Sequence, residues 1–242
     1  MHCYPPVGEK PGKRAQVEAM FNAVAPRYDL LNRVLSLGLD RRWRRTAVRA
    51  LHGGHAQRIL DVATGTGDMA FETHRIWSSE VVGMDISEEM LSIARRKAAT
   101  KGVSGRVSFE LGDVEDIPYA GGVFDAALVA FGVRNFQDLD RGLAELYRVL
   151  QKGGQLIILE LTLPAGRFAR LGYGLHSRLV LPVVGRMLSR VRGAYSYLPD
   201  SIRAFPQSEA FLARLHEAGF RALRVCTLTL GVASLYMGQK PR

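Results

Sequence analysis

Residues 58–70, RILDVATGTGDMA, decide the fold. The apolar run RILDVA gives way to a tight turn holding Gly65 and Gly67, and a helical stretch opens near residue 68. Strand, glycine turn and helix in this order begin a βαβ unit, and its turn lies where such sheets receive their ligands. Asp61 stands just before the turn and Asp68 just inside it, although glycine turns of this shape usually cradle phosphate.

Outward from the turn, the same rhythm continues. EVVGMD (80–85) reads as a second strand, and SEEMLSIARRKAATK (87–101) as a helix with Ser87 at its N-cap and Met90, Leu91 and Ala94 on its apolar face. RVSFEL (106–111) alternates as a strand does, FDAALVAF (124–131) and QLIILEL (155–161) read as buried strands, and the glycine pair at 153–154 ends a helix over 139–150. A helix over 208–220 and strands over 221–230 and 232–240, hinged at Gly231, complete the chain. The expected fold is α/β: a Rossmann-like, doubly wound seven-stranded sheet, mostly parallel with an antiparallel last strand. Residues 13–242 form one domain behind a loose arm at 1–12; about three helices over 13–52 cap it, and 162–206 is too long for a plain connection and reads as a helical lid.

Charge is unevenly placed. The net charge is +10, yet residues 1–50 carry ten basic against four acidic residues and 165–203 carry seven against one, so the rest of the chain is faintly acidic. Such a body with basic flanks suits an anionic partner, membrane lipid or nucleic acid. No apolar run approaches the roughly 20 residues of a membrane span, and the N-terminus lacks a signal peptide's apolar core, so a cytoplasmic protein is expected, at or near the inner face of the membrane. Cys3 and Cys226 make neither a disulfide framework nor a metal site, and no metal is expected.

Three carboxylates fall at successive strand ends: Asp61, Asp85 and, just after the third strand, Asp113. Gly65–Ala70 formally fits the dinucleotide fingerprint, with Asp85 about 20 residues on. A pyrophosphate at this turn meets Asp61 and Asp68, and like charges about 4 Å apart repel by roughly 4 kcal/mol at an effective dielectric near 20. S-adenosyl-L-methionine has no phosphate and carries a sulfonium and an ammonium. Asp85 then suits its ribose diol, and Asp113 its adenine amino group.

DVATGTGD, VVGMDIS, LGDVEDIPY and FDAALVAFGVRN resemble the class I methyltransferases. The last of these, with MFNAVAPRYDLLNRVLSLGLDRRWRR and AYSYLPDSIRAFP, is similar to the C-methyltransferases of menaquinone and ubiquinone biosynthesis, over about residues 14–240. The resemblance implies cofactor contacts at Thr66, Asp85, Asp113 and Val114; Asp61 and Gly67 of the turn complete the candidate set. It also implies C-methylation of a prenylated quinol, with the menaquinone branch favoured and the ubiquinone precursor 2-methoxy-6-polyprenyl-1,4-benzoquinol as alternative. Ala130 stands where the family often has serine, which removes one side-chain hydrogen bond.

The segment after the fourth strand, AFGVRN, lacks the Asn/Asp-Pro-Pro-aromatic carbonyl trap of many amine methyltransferases. Arg134 cannot be a base but can stabilise a developing phenolate, and Asn135 can orient a hydroxyl or water. His176 in the lid has a suitable unperturbed pKa for the general base; Tyr28, Tyr195, Tyr197 and an Arg134-held water are the other choices. The lid alternates Leu and Val with Arg170, Arg178, Arg186, Arg190 and Arg192, a pattern suited to an isoprenoid tail and anionic headgroups. The expected partners are therefore the quinol and membrane lipid at the periphery, with a homodimer left open. A nucleic-acid methyltransferase is the alternative of a different class that the basic charge raises. It wants a basic stripe interleaved with exposed aromatics, and the lid's arginines alternate with Leu and Val instead, so no nucleic-acid partner is expected. A non-catalytic binding module is disfavoured by the intact Thr66, Asp85 and Asp113.

Overall fold

The computed structural model of the chain describes residues 12–52, 56–164, 166 and 194–242. The arm and most of the expected lid, including His176, lie outside them, as does the side chain of Tyr195. Seven strands form one sheet: β1 (Arg58–Val62), β2 (Glu80–Asp85), β3 (Val107–Leu111), β4 (Phe124–Ala130), β5 (Leu150–Leu161), β6 (Arg221–Leu228) and β7 (Ala233–Gln239), in the order β3-β2-β1-β4-β5-β7-β6. β1 through β5 pair in parallel, and β7 runs antiparallel to both β5 and β6.

The central strands are apolar throughout because both faces are covered. Alternate residues divide between two cores. Leu60, Val62, Val82 and Phe124 join one, and Ile59, Ala126, Leu128 and Ile157 join the other. The second core also holds Trp43, Ala47 and Val48, the buried stripe of α3 (Leu39–Arg49), whose Arg41, Arg42, Arg45 and Arg49 are exposed. With α1 (Lys13–Val24) and α2 (Tyr28–Leu35), α3 makes the three-helix N-terminal cap. α4 (Asp68–Trp77) and α5 (Glu88–Lys101) follow the first two strands. Ser87 caps α5 as its sequence suggests, its hydroxyl accepting from the Met90 amide at 3.2 Å. α6 (Leu139–Val149), α7 (Ala194–Ala204) and α8 (Glu209–Glu217) complete the described helices.

The glycine pair 153–154 behaves differently from its sequence reading. α6 ends at Val149, and β5 begins at once at Leu150 and runs through the pair. Gly153, at φ +81°, lets β5 bulge where its register against β4 jumps, from Phe124↔Leu150 to Ala126↔Gln155. The bulge stays paired because Gly153 and Gly154 exchange backbone hydrogen bonds with Lys240. Gly231 does lie in the β6–β7 turn, as the last residue of a three-residue 3-10 turn, Thr229–Gly231.

Close approach explains Gly83 at the centre of β2. A Cβ there would lie 2.6 Å from the Phe109 ring and 2.8 Å from the Thr64 hydroxyl, so the sheet and the loop after β1 meet without room for a methyl. Gly83→Ala should therefore lower unfolding free energy by about 1–3 kcal/mol, the usual cost of overpacking. Denaturant unfolding with an unchanged m-value checks this, and a wild-type midpoint would contradict it.

Candidate active site

The strand order reverses between β1 and β4, and a cavity of about 700 Å³, counted to its open mouth, lies beyond their carboxyl ends. Phe21 and Tyr28 of the cap face it from one side; Asp85, Asp113 and Val114 from another; Phe131 and Asn135 close it beyond β4. Two non-glycine residues at its edge, Ala63 and Phe131, adopt positive φ (53° and 60°). Such conformations cost about 1–3 kcal/mol each and concentrate at functional sites. Phe131 is held there by its amide bond to the Leu159 carbonyl at 2.7 Å, by the Trp43 ring 6.2 Å away and by the Arg44 guanidinium 5.2 Å from its centroid. Arg44 is itself buried against Asp40 at 2.5 Å, so one arginine of the basic cap is structural rather than solvated.

The three strand-end carboxylates occupy different environments. Asp61, next to Val62 of the cavity lining but not itself on the wall, is fully buried: Oδ2 accepts from the Thr64 hydroxyl at 2.6 Å, and Oδ1 has no hydrogen-bond partner among the described residues. Burial pushes its carboxyl up to about 7, against the pull of Thr64 and Arg44. Asp85 is also raised by burial, although the amides of Ser87 and Gly65 donate to it at 2.9 and 2.8 Å. Asp113, on the rim, accepts from the Glu115 amide at 3.0 Å and pairs with Arg14 of α1 at 3.0 Å.

Thr66 and Gly67 stand apart from the cavity lining. Gly67 holds φ +84°, and a Cβ there would press 2.6 Å from Phe109, so the loop needs glycine at this point. The Thr66 hydroxyl turns to α2 and donates to Asp29 at 2.5 Å. Asp68 takes a different part from the one its sequence position suggests. Burial raises its carboxyl, but Lys97 at 2.7 Å outweighs that and holds it below the usual range. Asp68 is thus charge-paired with Lys97, as Asp113 is with Arg14, whereas Asp61 and Asp85 have no ion pair among the described residues.

Beyond β4, the 3-10 turn Val133–Asn135 separates two neighbours. Asn135 faces the cavity and accepts from the Tyr197 hydroxyl of α7 at 2.9 Å, which ties that helix to the site. Arg134 points into protein: Nη1 donates to Glu160 at 2.5 Å and to the Phe131 carbonyl at 2.6 Å, while its buried Nε has no partner among the described residues. Glu160, wholly buried near the end of β5, also accepts from the amides of Arg134 and Leu161. Sequence reading missed Glu160, although a lone acid inside the apolar strand QLIILEL signals a buried cation. It missed Lys97 too, which nothing distinguishes from its neighbours in ARRKA.

Residues 10–240 match the ubiE/COQ5 methyltransferase family. The chain is 47% identical to the demethylmenaquinone methyltransferase of Deinococcus radiodurans over 98% of its own length and 97% of the relative's. It is 45% identical to that of Bacteroides fragilis, covering 94% of each chain. With the ubiquinone/menaquinone biosynthesis C-methyltransferase UbiE of Geobacter sulfurreducens it shares 44% identity over 94% of this chain and 90% of the relative. Among solved structures, an S-adenosylmethionine-dependent methyltransferase of Thermotoga maritima, a possible histamine N-methyltransferase, superposes with TM-score 0.63 at 20% identity, covering 92% of this chain and 99% of that one. That likeness speaks for the fold. A seven-stranded sheet opening at its switch point on acidic strand ends, and a match to the family over nearly the whole chain, place this protein in the ubiE/COQ5 methyltransferase family.

Proposed function

We propose that the protein methylates a ring carbon of a prenylated quinol, converting demethylmenaquinol to menaquinol. The observation that supports this most is the AFGVRN segment: it sets an aromatic and an amide at the cavity, offers no proline carbonyl trap for an amine, and occurs in a chain 45–47% identical to demethylmenaquinone methyltransferases. When bound, S-adenosylmethionine would supply an electrophilic methyl group: the ring carbon takes it as the sulfonium–methyl bond breaks, leaving S-adenosylhomocysteine, and the ring carbon's proton is lost. The donor set fits that cation: Asp61 keeps an unpartnered oxygen, Asp85 and Asp113 line the cavity, and Arg14 is the one basic residue on its wall among those described. In this reading Asp85 accepts from the ribose diol, Asp113 and Val114 meet the adenine, and Gly65 and Gly67 give the loop its shape.

Asn135 holds its carbonyl oxygen on Tyr197, which leaves its amide hydrogens for a quinol oxygen. Arg134 is largely neutralised by Glu160, so it contributes through its unpartnered Nε–H, to a phenolate oxygen or a water, rather than as a free cation. Phe131 and Phe21 give the ring apolar walls. No helix among the described residues is long and apolar enough to cross a membrane. The exposed arginines of α3, at about 1 kcal/mol each near an anionic surface, are proposed to bring the chain to lipid, where its substrate resides. The protein should float with anionic vesicles and not with neutral ones; equal flotation would remove lipid charge from the account.

An assay with radiolabelled methyl donor should label reduced demethylmenaquinone in the lipid extract. Stronger labelling of the ubiquinone precursor would transfer the assignment to that branch. Arg134→Ala should lower turnover about 100-fold, in line with loss of a positioned donor, with cofactor affinity little changed; equal loss of both would contradict its role. Because that variant strands a buried carboxylate, the double substitution Arg134→Met/Glu160→Gln serves as the folded control and should stay as slow.

Asp61 makes a separate prediction for the ligand-free protein. Its folded pKa, about 7, lies above its unfolded value, so the folded state binds the extra proton and stability falls as pH rises from about 4 to 7. Asp61→Asn removes that loss and should gain up to about 4 kcal/mol relative to wild type by pH 8. Denaturant unfolding at pH 5 and pH 8 checks it; a gain independent of pH would show that Asp61 titrates normally.

A further inference from the structure

Lys97 of α5 gathers three separate pieces of the chain at one nitrogen. Its ammonium lies 2.7 Å from Asp29 of α2 and 2.7 Å from Asp68 at the start of α4, and it donates to the Thr66 carbonyl and hydroxyl at 3.1 Å each. Thr66 in turn donates to the other oxygen of Asp29 at 2.5 Å. The group is partly buried, with Lys97 at 24% side-chain exposure and Thr66 at 2%. It lies behind the glycine loop, and none of the four residues lines the cavity. Its effect reaches the cavity through the neighbours. Tyr28 immediately precedes Asp29 and lies against Gly65, where an added Cβ would sit 3.5 Å from its ring. Gly65 in turn donates its amide to Asp85 at 2.8 Å.

The cap has further ties near the cavity, among them the Lys13 ammonium of α1 on the Phe136 carbonyl at 2.5 Å and the Arg14 amide on the Gln137 side chain at 3.3 Å. Arg14 of α1 pairs with Asp113, but with 56% of its side chain exposed it is well screened. Asn22 of α1 accepts from the Ser87 hydroxyl at 2.6 Å, a neutral bond. The Lys97 cluster joins a cap carboxylate and a loop carboxylate through one partly buried cation, and removing that cation leaves Asp29 and Asp68 facing each other as like charges.

We propose that Lys97 is a positioning residue for cofactor binding: by clamping Asp29 to the loop at Thr66 and Asp68, it closes the N-terminal cap over the cavity and presets the glycine loop. This rests on the cavity being the S-adenosylmethionine site. Thr66 then belongs to the clamp, and its hydroxyl is spent on Asp29 rather than on the cofactor. A loop with two glycines and no clamp must be ordered by the ligand itself, which lowers affinity and shortens residence without altering the reacting groups.

The test is binding of S-adenosylhomocysteine by calorimetry and stopped flow to the full chain, with steady-state kinetics beside it. Lys97→Met should weaken binding about tenfold or more, chiefly through faster dissociation. At saturating cofactor, turnover should stay within about threefold and the quinol KM should not move, a split that general destabilisation does not produce. Amide exchange across residues 14–35 should quicken in the ligand-free variant, and Lys97→Arg should recover part of the affinity. Asp29→Asn, which keeps the lysine, should weaken binding in the same way and add little to Lys97→Met in a double-mutant cycle. Affinity within twofold of wild type in Lys97→Met, or full additivity with Asp29→Asn, would overturn the clamp. Failure of the wild-type chain to bind would instead overturn the cofactor reading beneath it.

Discussion

The active end of this fold depends on carboxylates kept from water at the ends of parallel strands. Asp61 is the extreme case, wholly buried with one oxygen unpartnered and a carboxyl raised by burial to about 7. A buried acid with no ion pair among the described residues, only the more distant pull of Arg44, is a standing cost in the ligand-free protein, and a cationic ligand would relieve it. The left-handed Ala63 and Phe131 on either side of the strand-order reversal add backbone strain in the same place. The two cores beneath, built on the alternating residues of β1, β2 and β4, supply the stability that these local costs draw on.

What was legible in the sequence follows from the same physics. Long apolar strands, the Ser87 cap and the glycine turn are decided by local chemistry, and the structure has them where the sequence suggests. The bulge at Gly153 was not legible, because a glycine pair after a helix normally ends it in a loop, and here the partner that keeps the pair in the sheet, Lys240, lies at the far end of the chain. Asp68 was misjudged for a similar reason. Its neighbours within the turn are visible in sequence, but its neutralising lysine comes from a helix 29 residues on. The positions of Asp61, Asp85 and Asp113 were easier, since strand ends converge in any parallel sheet.

Two cations just behind the cavity wall illustrate why net charge says little about mechanism. Arg134 and Lys97 are each engaged by acids the sequence keeps distant, Glu160 for one and Asp29 with Asp68 for the other. Arginine suits the drier position, because its planar fork serves Glu160 and the Phe131 carbonyl with one end and still leaves Nε–H. Lysine suits the junction, where a compact ammonium divides its three donors among acceptors arriving from different directions. Exchanging the two residues would therefore disable both places while leaving the composition unaltered.

The pairing of Arg134 with Glu160 also bears on the role proposed for it toward the acceptor. A free guanidinium at the cavity would stabilise any anion and would hold a quinolate before the methyl group is in place. Paired with Glu160, Arg134 offers one directional donor and little net field, so in its proposed role it would discriminate by geometry rather than by charge. Such an arrangement favours charge that develops at one oxygen during the reaction over charge already present in the ground state, the condition under which a donor raises turnover rather than only tightening binding. Glu160, by offsetting the positive charge, would be as much a part of that proposed discrimination as the arginine it holds.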